Sequence, residues 1–440
     1  MYKSLFIGAI MCLALISKGQ TSLILSYDEA LDIALNQNVD IQMRTNELRV
    51  QQAQHQEAKM RFLPNLNLNL STMRQIGQQF QAIEDRIVVT NIATDFVSSN
   101  LSANLDLYTG MSRKNNYQAT KYRLIQQNET IKQTRLNIIL DVTRQYLQVL
   151  LDKELIKIAR ENLENQRKQL RQIEQYVQSG IRARPDLMSQ KAELARLELE
   201  VVNAEIQTDN DLQLLSGTLQ LDAGYSLDIK EIQGLELRST GFETYTLSEL
   251  ISIAKNQRPD IKSQQAAVSA SEYETSIAKS FYLPRLTAFY SLGTFFTSLD
   301  ERSFGTQFLN VYPTHSIGVR LQVPIFDNFQ TKTNVVRAEI QAKNEELNSI
   351  ALERQIFQEV QSAQLQYKAA LKREESTAFQ LKAAEDNFVT QEERFRLGLN
   401  SIVEYAEANR LLVQAKSDST QALYSKIFSE MILQYTLGSL

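Results

Sequence analysis

The sequence of 440 residues contains one cysteine, no tryptophan, 14 glycines and 6 prolines. The cysteine, Cys12, lies inside an apolar run from Leu5 to Ile16. Such a run near the start of a chain, after a lysine and before small residues, is typical of a secretory signal peptide. We expect residues 1–19 to be removed by cleavage before Gln20, which would leave a mature chain without cysteine. That absence excludes disulfides, thiol catalysis and thiolate metal sites.

No later apolar run reaches the roughly 18 residues that a transmembrane helix needs, so we expect any membrane span to consist of strands. The net charge is −4 at pH 7, and both signs are mixed along the chain. We therefore predict neither nucleic acid nor anionic lipid as a charge-driven partner. The sequence also lacks a phosphate-binding glycine loop and a nucleophile elbow, and its two histidines lie in different predicted elements. We predict no catalytic residue, no cofactor and no metal site, and hence no enzyme.

The chain contains an internal duplication. Residues 26–66 align without a gap on residues 246–286, at an offset of about 220 residues. The identical pairs include Glu29 and Glu249, Ile33 and Ile253, Asn36 and Asn256, Asp40 and Asp260, Leu63 and Leu283, and Pro64 and Pro284. Each copy is predicted to begin with a capping box and a helix of about 35 residues that ends at a Leu-Pro pair. We predict two structural repeats, 20–217 and 246–440, joined by an irregular segment, 218–245.

Alternating apolar and polar residues follow each Leu-Pro pair, which predicts β-strands. The apolar positions are Leu66, Leu68 and Leu70; Leu101, Ala103, Leu105 and Leu107; Leu286, Ala288, Tyr290 and Leu292; and Ile317, Val319, Leu321 and Val323. Four strands of roughly 8–11 residues fit transmembrane β-strands, and a soluble sheet with one wet face is the alternative. The segments 72–96 and 294–313 are predicted to be extracellular loops. Four strands cannot close a barrel alone, and open sheet edges are not tolerated in lipid. Three copies would supply twelve strands.

Long helices are predicted after each pair of strands, over about 113–178 and 331–397. Neither segment contains proline, and each helix would be about 100 Å long. They end at Gly180 and Gly398, as expected where a chain leaves a helix through a left-handed residue. Polar residues are scattered around these segments, which indicates water on more than one side and favours a hollow helical tube.

A return helix is predicted after each long helix, over about 185–217 and 402–437. Pro185 suits the first turn of one return helix. Ser401 and Glu404 form a capping box for the other. Each half of the chain therefore ends in a helical hairpin.

Three sets of motifs together resemble the TolC family of outer-membrane efflux proteins. They are the duplicated starts S-Y-D-E-A-L-D-I-A-L-N-Q-N and T-L-S-E-L-I-S-I-A-K-N-Q, the paired A-K-x-x-x-L-P-x-L entries into strands, and R-L-G-L-N-S-I-V-E-Y-A-E-A near the end. The resemblance implies a mainly α fold with a small β part, in which a long antiparallel α-helical barrel continues into a 12-stranded transmembrane β-barrel formed by three chains. It implies a homotrimer in the outer membrane that extends into the periplasm. It also implies a periplasmic membrane-fusion adaptor and an inner-membrane pump as partners in efflux or type I secretion.

The resemblance also assigns roles to the tips of the helical hairpins, which in the family contact the adaptor. The matching positions are Ser179, Gly180 and Ile181 in the first tip, and Leu397, Gly398, Leu399, Asn400 and Ser401 in the second. The glycines have an alternative role, since either would also simply end a helix.

Acidic residues form rings inside the entrance of the family's channels, and Glu404 and Glu407 match those positions. Three-fold symmetry would bring six carboxylates together, which would attract cations and raise the pKa of each carboxyl by repulsion. The alternatives are that Glu404 only caps its helix and that Glu407 is only a surface charge.

Asp186 matches a family aspartate that helps to hold the tip closed through an arginine. In this sequence the arginine position falls on Asn400 and a neighbouring tyrosine position falls on Phe395. Arg182 or Arg184 is a possible substitute for the missing partner. Alternatively, Asp186 is simply favoured by the helix dipole in the first turn.

A structural or adhesive stalk anchored in the outer membrane is the competing hypothesis. It would require apolar a and d positions sustained over many heptads. The segments 126–135 and 162–171 interrupt any such seam with polar residues, so we favour the duct.

Overall fold

The structure, a computed structural model, describes residues 21–83, 86–222, 225–231 and 241–439. The predicted signal peptide and part of the predicted irregular segment lie outside the described residues. The chain forms two compact units, and each unit takes segments from both halves of the sequence. The first is built from 1–42, 134–258 and 356–440, and the second from 43–133 and 259–355.

The helices and strands follow one another in the same order in both halves of the sequence. In chain order they are β1 (Thr21–Leu25), α1 (Tyr27–Gln37), α2 (Val39–Met60), β2 (Asn65–Ile83), β3 (Arg86–Tyr108), α3 (Ser112–Gln178), α4 (Arg184–Thr218), β4 (Tyr225–Ile229), α5 (Leu247–Gln257), α6 (Pro259–Ser280), β5 (Arg285–Thr297), the single turn α7 (Phe304–Thr306), β6 (Thr314–Gln322), α8 (Gln330–Arg396) and α9 (Ile402–Leu437). The succession of two helices, two strands, a long helix and a return helix thus occurs twice.

The long helices and their return helices are confirmed to within one residue at each end. Helices α3 and α8 each contain 67 residues and neither glycine nor proline, so nothing in their interiors interrupts the backbone ladder. Pro185 lies in the first turn of α4, where its missing amide costs no hydrogen bond. None of the helices in the described ranges has a stretch long and apolar enough to cross a membrane.

Both predicted start signals are confirmed as capping boxes. The Ser26 amide donates to the Glu29 carboxylate at 2.7 Å, and the Thr246 amide donates to the Glu249 carboxylate at 2.8 Å. The hydrogen bonds from Ser26 lower the pKa of Glu29 to about 2. Each box satisfies amides that the first helical turn leaves without partners.

The prediction of one continuous opening helix in each repeat is wrong, because the helix is broken in both. Asn38, with ψ 125°, separates α1 from α2. Its Oδ1 accepts hydrogen bonds from the amides of Asp40 at 2.9 Å and Ile41 at 3.3 Å, so it caps the new helix. Arg258 has nearly the same backbone angles before α6, where Pro259 disfavours helical geometry in the residue that precedes it.

The first unit contains a two-stranded parallel sheet that the sequence did not reveal. Strand β1 pairs with β4, which lies in the segment predicted to be irregular. The hydroxyl of the buried Tyr146 of α3 is donated to two carbonyls, that of Leu25, the last residue of β1, at 3.2 Å and that of Lys230, directly after β4, at 2.7 Å. Burial raises the pKa of Tyr146 to about 12, so the hydroxyl remains a donor. The core around it consists of Leu25, Ala30, Ala34, Ile138, Val142, Val149, Leu215, Leu219, Leu227 and Ile229, among others.

The second unit contains a four-stranded antiparallel sheet with the order β2-β3-β5-β6. Its register places the predicted apolar positions in shared rows across the strands. One such row is Leu66, Ala103, Tyr290 and Ile317. Leu66 and Ile317, on the two outer strands, are 69% and 86% exposed. The apolar face that the alternation predicts is therefore present, and it is open to the surroundings.

The lengths of β5 and β6 come closer to the predicted length of about 8–11 residues than those of β2 and β3 do. Strands β2 and β3 contain 19 and 23 residues, so the predicted loop at 72–96 is mostly strand. Polar pairs stabilise this extension across the strands. Arg74 contacts Asp95 through two hydrogen bonds of 2.7 Å, and the hydroxyls of Ser71 and Ser98 lie 2.7 Å apart. Such pairs carry no alternating apolar signal, which is why the sequence pattern did not indicate them.

Candidate functional site: the helical tips

The first tip is formed where α3 ends and the chain turns back toward α4. Gly180 has φ +75°, in the left-handed region that favours glycine. Its amide donates to the Val177 carbonyl at 3.1 Å, and the Ile181 amide donates to the Tyr176 carbonyl at 2.8 Å. The Ser179 hydroxyl donates to the Gln175 carbonyl at 2.9 Å. The last carbonyls of α3 are therefore satisfied by the turn itself.

The second tip repeats this geometry at the end of α8. Gly398 has φ +73°, and its amide donates to the Phe395 carbonyl at 3.0 Å. The Leu399 amide donates to the Arg394 carbonyl at 2.8 Å. The largely buried Asn400 donates through Nδ2 to the Gln391 carbonyl at 3.1 Å and to its side chain at 2.9 Å. Two tips with the same turn therefore come from dissimilar sequences.

Both turns leave apolar side chains exposed. Ile181 in the first tip is 68% exposed, and Leu397 and Leu399 in the second are 64% and 65% exposed. Ending a helix requires the glycine but none of these aliphatic side chains. The turns therefore present aliphatic side chains that helix termination alone does not account for.

The two predicted ring glutamates both have local partners. Glu404 accepts hydrogen bonds from the Ser401 amide at 2.7 Å and hydroxyl at 3.0 Å, which lower its pKa. Glu407 accepts two hydrogen bonds from Arg410, at 2.6 and 2.9 Å, and this guanidinium lowers its pKa. Within one chain both carboxyls are thus stabilised in the ionised form, which is opposite to the rise expected when three chains bring them together.

Asp186 lies in the first turn of α4. In the described part of the chain no ion pair joins it to an arginine, and no hydrogen bond joins it to either ring glutamate. The single chain therefore does not contain the ionic contact that the family resemblance implies for this residue.

A cation and two aromatic rings lie between the tips instead. The Arg182 guanidinium carbon lies 5.5 Å from the centroid of the Phe395 ring. The Phe395 ring also contacts the ring of Tyr405 at 5.0 Å between centroids, and Tyr405 is only 6% exposed. The sequence comparison had singled out Arg182 and Phe395 without pairing them. Tyr405 was missed, although it lies next to Glu404 in the quoted motif.

Together, the duplicated hairpins, the exposed tips and the open-edged sheet define the class of outer-membrane channel proteins with long periplasmic helices. The sequence profile described as "Outer membrane efflux protein" matches residues 30–219 and 250–439. The chain belongs to this family.

Relatives and solved structures agree with this assignment. The chain is 25% identical over 421 residues to the pyoverdine export outer membrane protein OpmQ of Pseudomonas putida, covering 93% of this chain and 85% of that protein. It is 22% identical over 416 residues to the cation efflux system protein CusC of Escherichia coli O157:H7, covering 92% and 84%. A crystal structure of CusC matches with a TM-score of 0.81 at 18% identity, covering 99% of this chain and 96% of that one, and this likeness shows the fold.

The protein is therefore an outer-membrane channel of the efflux and secretion class, located in the outer membrane and extending into the periplasm. Its relatives are channel proteins rather than enzymes. The stalk hypothesis is not supported.

Proposed function

We propose that three copies of this chain form one continuous duct, in which a twelve-stranded barrel in the outer membrane continues into a helical tunnel. In this proposal the repeats 20–217 and 246–440 line the duct, and the segment 218–245 connects them. The duct would receive substrates from a periplasmic adaptor and an inner-membrane pump and would release them outside the cell.

The four-stranded sheet carries this proposal. Within the described chain, β2 and β6 each pair on one side only, so the sheet has two open edges. Both edge strands expose apolar side chains, such as Leu68 at 60% and Val319 at 66%. Lipid tolerates an apolar face but not unpaired backbone groups, so each edge requires another strand. Pairing β6 of one copy with β2 of the next satisfies both edges, and three copies give twelve strands.

The tips are proposed to be the docking site for the adaptor. Ser179, Gly180 and Ile181 would contribute from the first hairpin. Leu397, Gly398, Leu399, Asn400 and Ser401 would contribute from the second. The exposed aliphatic side chains support this assignment, because helix termination does not require them.

Purified protein is expected to run as a trimer in detergent and to give discrete single-channel openings in a planar bilayer. The reason is that closure of the sheet requires further chains, and three chains give the proposed twelve strands around a continuous water-filled path. Oligomeric mass and conductance should be measured on the same preparation. A monomer that conducts nothing would contradict the proposal.

Glu404 and Glu407 are proposed to form the acidic entrance ring, with Asp186 nearby at the gate. Replacing both glutamates with glutamine is expected to reduce cation selectivity, because up to six negative charges are removed from the narrow entrance. Glutamine at position 404 retains the capping box, so the change tests charge rather than folding. The measurement is the reversal potential in asymmetric salt.

Arg410→Gln provides a control of opposite sign. This substitution removes the cation that pairs with Glu407 and is therefore expected to increase cation selectivity. If neither the double glutamine variant nor Arg410→Gln changed the reversal potential, the ring assignment would be wrong.

A further inference from the structure

The contact between Arg182 and Phe395 joins two separate hairpins of one chain. Arg182 follows the exposed Ile181 of the first tip, whereas Phe395 lies in the last turn of α8, at the second tip. They are more than two hundred positions apart in the sequence, so their contact reports how the two hairpins are placed against each other.

Arg182 and Phe395 are each held by further contacts within their own hairpins. The Arg182 amide donates to the Tyr176 carbonyl at 3.2 Å, as part of the turn that ends α3. The Phe395 ring packs on Tyr405, which also contacts Phe388 at 5.6 Å between centroids. An aromatic pair of this kind keeps the ring face oriented toward the cation.

The charge of Arg182 has no competing partner among the described residues. No ion pair or side-chain hydrogen bond from its guanidinium is present there. Asn400, which the family resemblance matches to an arginine, donates through Nδ2 to Gln391 of its own hairpin. The cation over the aromatic ring is therefore one contact between the tips, and a hydrogen bond between the side chains of Tyr405 and Gln169 is another contact between the two hairpins.

We propose that Arg182, Phe395 and Tyr405 are the residues that position the two tips at the channel entrance, through a cation–π tie in place of an ionic one. This inference rests on the proposed function, in which the tips form the entrance. It adds that the position of one hairpin depends on a side chain of the other. A contact between a cation and an uncharged ring also responds less to added salt than an exposed ion pair does.

Amide hydrogen exchange of the purified full-length protein tests the tie directly. Phe395→Leu removes the aromatic face and retains an apolar side chain, and it is expected to speed exchange at the Ile181 and Arg182 amides by about two- to five-fold. Arg182→Gln should speed exchange at the Gly398 and Leu399 amides to a similar extent. The double variant should show exchange rates at each tip that are no faster, within error, than those of the single variants, because both substitutions remove the same contact.

Matched controls separate the tie from general loosening. Arg184→Gln removes the same charge two residues away and should leave exchange at the second tip unchanged. Arg182→Lys retains a cation and should restore part of the protection. If Phe395→Leu left the first tip unchanged, or if Arg184→Gln had the same effect as Arg182→Gln, the tie would be overturned.

Single-channel recording distinguishes the tie from the proposed function. With the tie and the duct both present, Phe395→Leu and Arg182→Gln should each increase the open fraction, and Arg184→Gln should not. If substitutions at one tip changed amide exchange at the other in a protein that conducts nothing, the tie would be upheld and the duct contradicted. If the wild-type protein conducted but substitutions at one tip left exchange at the other unchanged, the duct would be upheld and the tie contradicted.

Discussion

Replacing Gly110 with alanine is expected to lower the free energy of unfolding by about 2–5 kcal/mol, as the sum of a backbone term and a steric term. Gly110 lies between β3 and α3 with φ +61°, where an L-residue is strained. A Cβ at this position would lie 2.6 Å from the Ser280 carbonyl oxygen and 2.9 Å from Cβ of Leu283. Neither atom is the far end of a flexible side chain, so the connection between α6 and β5 would have to move.

Gly180→Ala is the matched control for this prediction. Its φ is +75°, but a Cβ there would meet no heavy atom within 4 Å. It therefore carries only the backbone term, about 1–2 kcal/mol. Thermal or urea unfolding in detergent, followed by circular dichroism, would measure both variants. Equal losses would show that the contacts around Gly110 relax at little cost.

The long helices could be predicted because their signals are local. Helices α3 and α8 contain no residue that interrupts a helix, and each ends at a glycine with positive φ. The breaks at Asn38 and Arg258 were missed for different reasons. Asn38 uses its side chain to start a second helix, which helical periodicity does not reveal. Pro259, in contrast, was a visible signal against a helical residue at 258.

The missed parts of the sheets depend on partners that are distant in the sequence. Strand β4 is only five residues long and is held by β1 and by Tyr146 of α3. The extension of β2 and β3 depends on pairs such as Arg74 with Asp95. A single sequence indicates a residue's preference, but it does not indicate which distant residue will lie opposite.

In the candidate site, too, local features could be predicted from the sequence and contacts between distant residues could not. The tip glycines and the Ser401 capping box follow from residues within one turn, and the structure confirms their geometry. Arg410, three residues after Glu407 on the same helix, could also have been recognised from spacing. The contact of Arg182 with Phe395 could not, because it depends on how two hairpins pack.

A carboxyl pair in the first unit, in which Asp152 is buried and Asp211 is half-buried, gives the stability a distinct pH dependence. Asp152 of α3 is 5% exposed, and its Oδ1 accepts a hydrogen bond from Gln148 at 3.0 Å. Its Oδ2 is buried and accepts no hydrogen bond from the described residues. The carboxyl of Asp211, on α4, lies beside it, so a proton on Asp152 can be donated to Asp211. Burial and this neighbour raise the pKa of Asp152 to about 7.

Asp152→Asn is therefore expected to stabilise the protein at pH 8 and to change little at pH 4. Between about pH 4 and 7 the folded wild type holds a proton that the unfolded chain has lost, so wild-type stability falls as the pH rises through this window. Asparagine stays neutral and removes that slope. We expect the free energy of unfolding at pH 8 to rise by about 1–3 kcal/mol. This is less than the full value that the pKa shift implies, because water reaches part of the pair. Unfolding midpoints across this range would measure the effect, with the exposed Asp209→Asn on α4 as the control. Equal stability of the two proteins at pH 4, with the variant more stable at pH 8, would show that Asp152 carries the proton. If instead the two stability profiles ran parallel from pH 4 to pH 8, the prediction would be wrong.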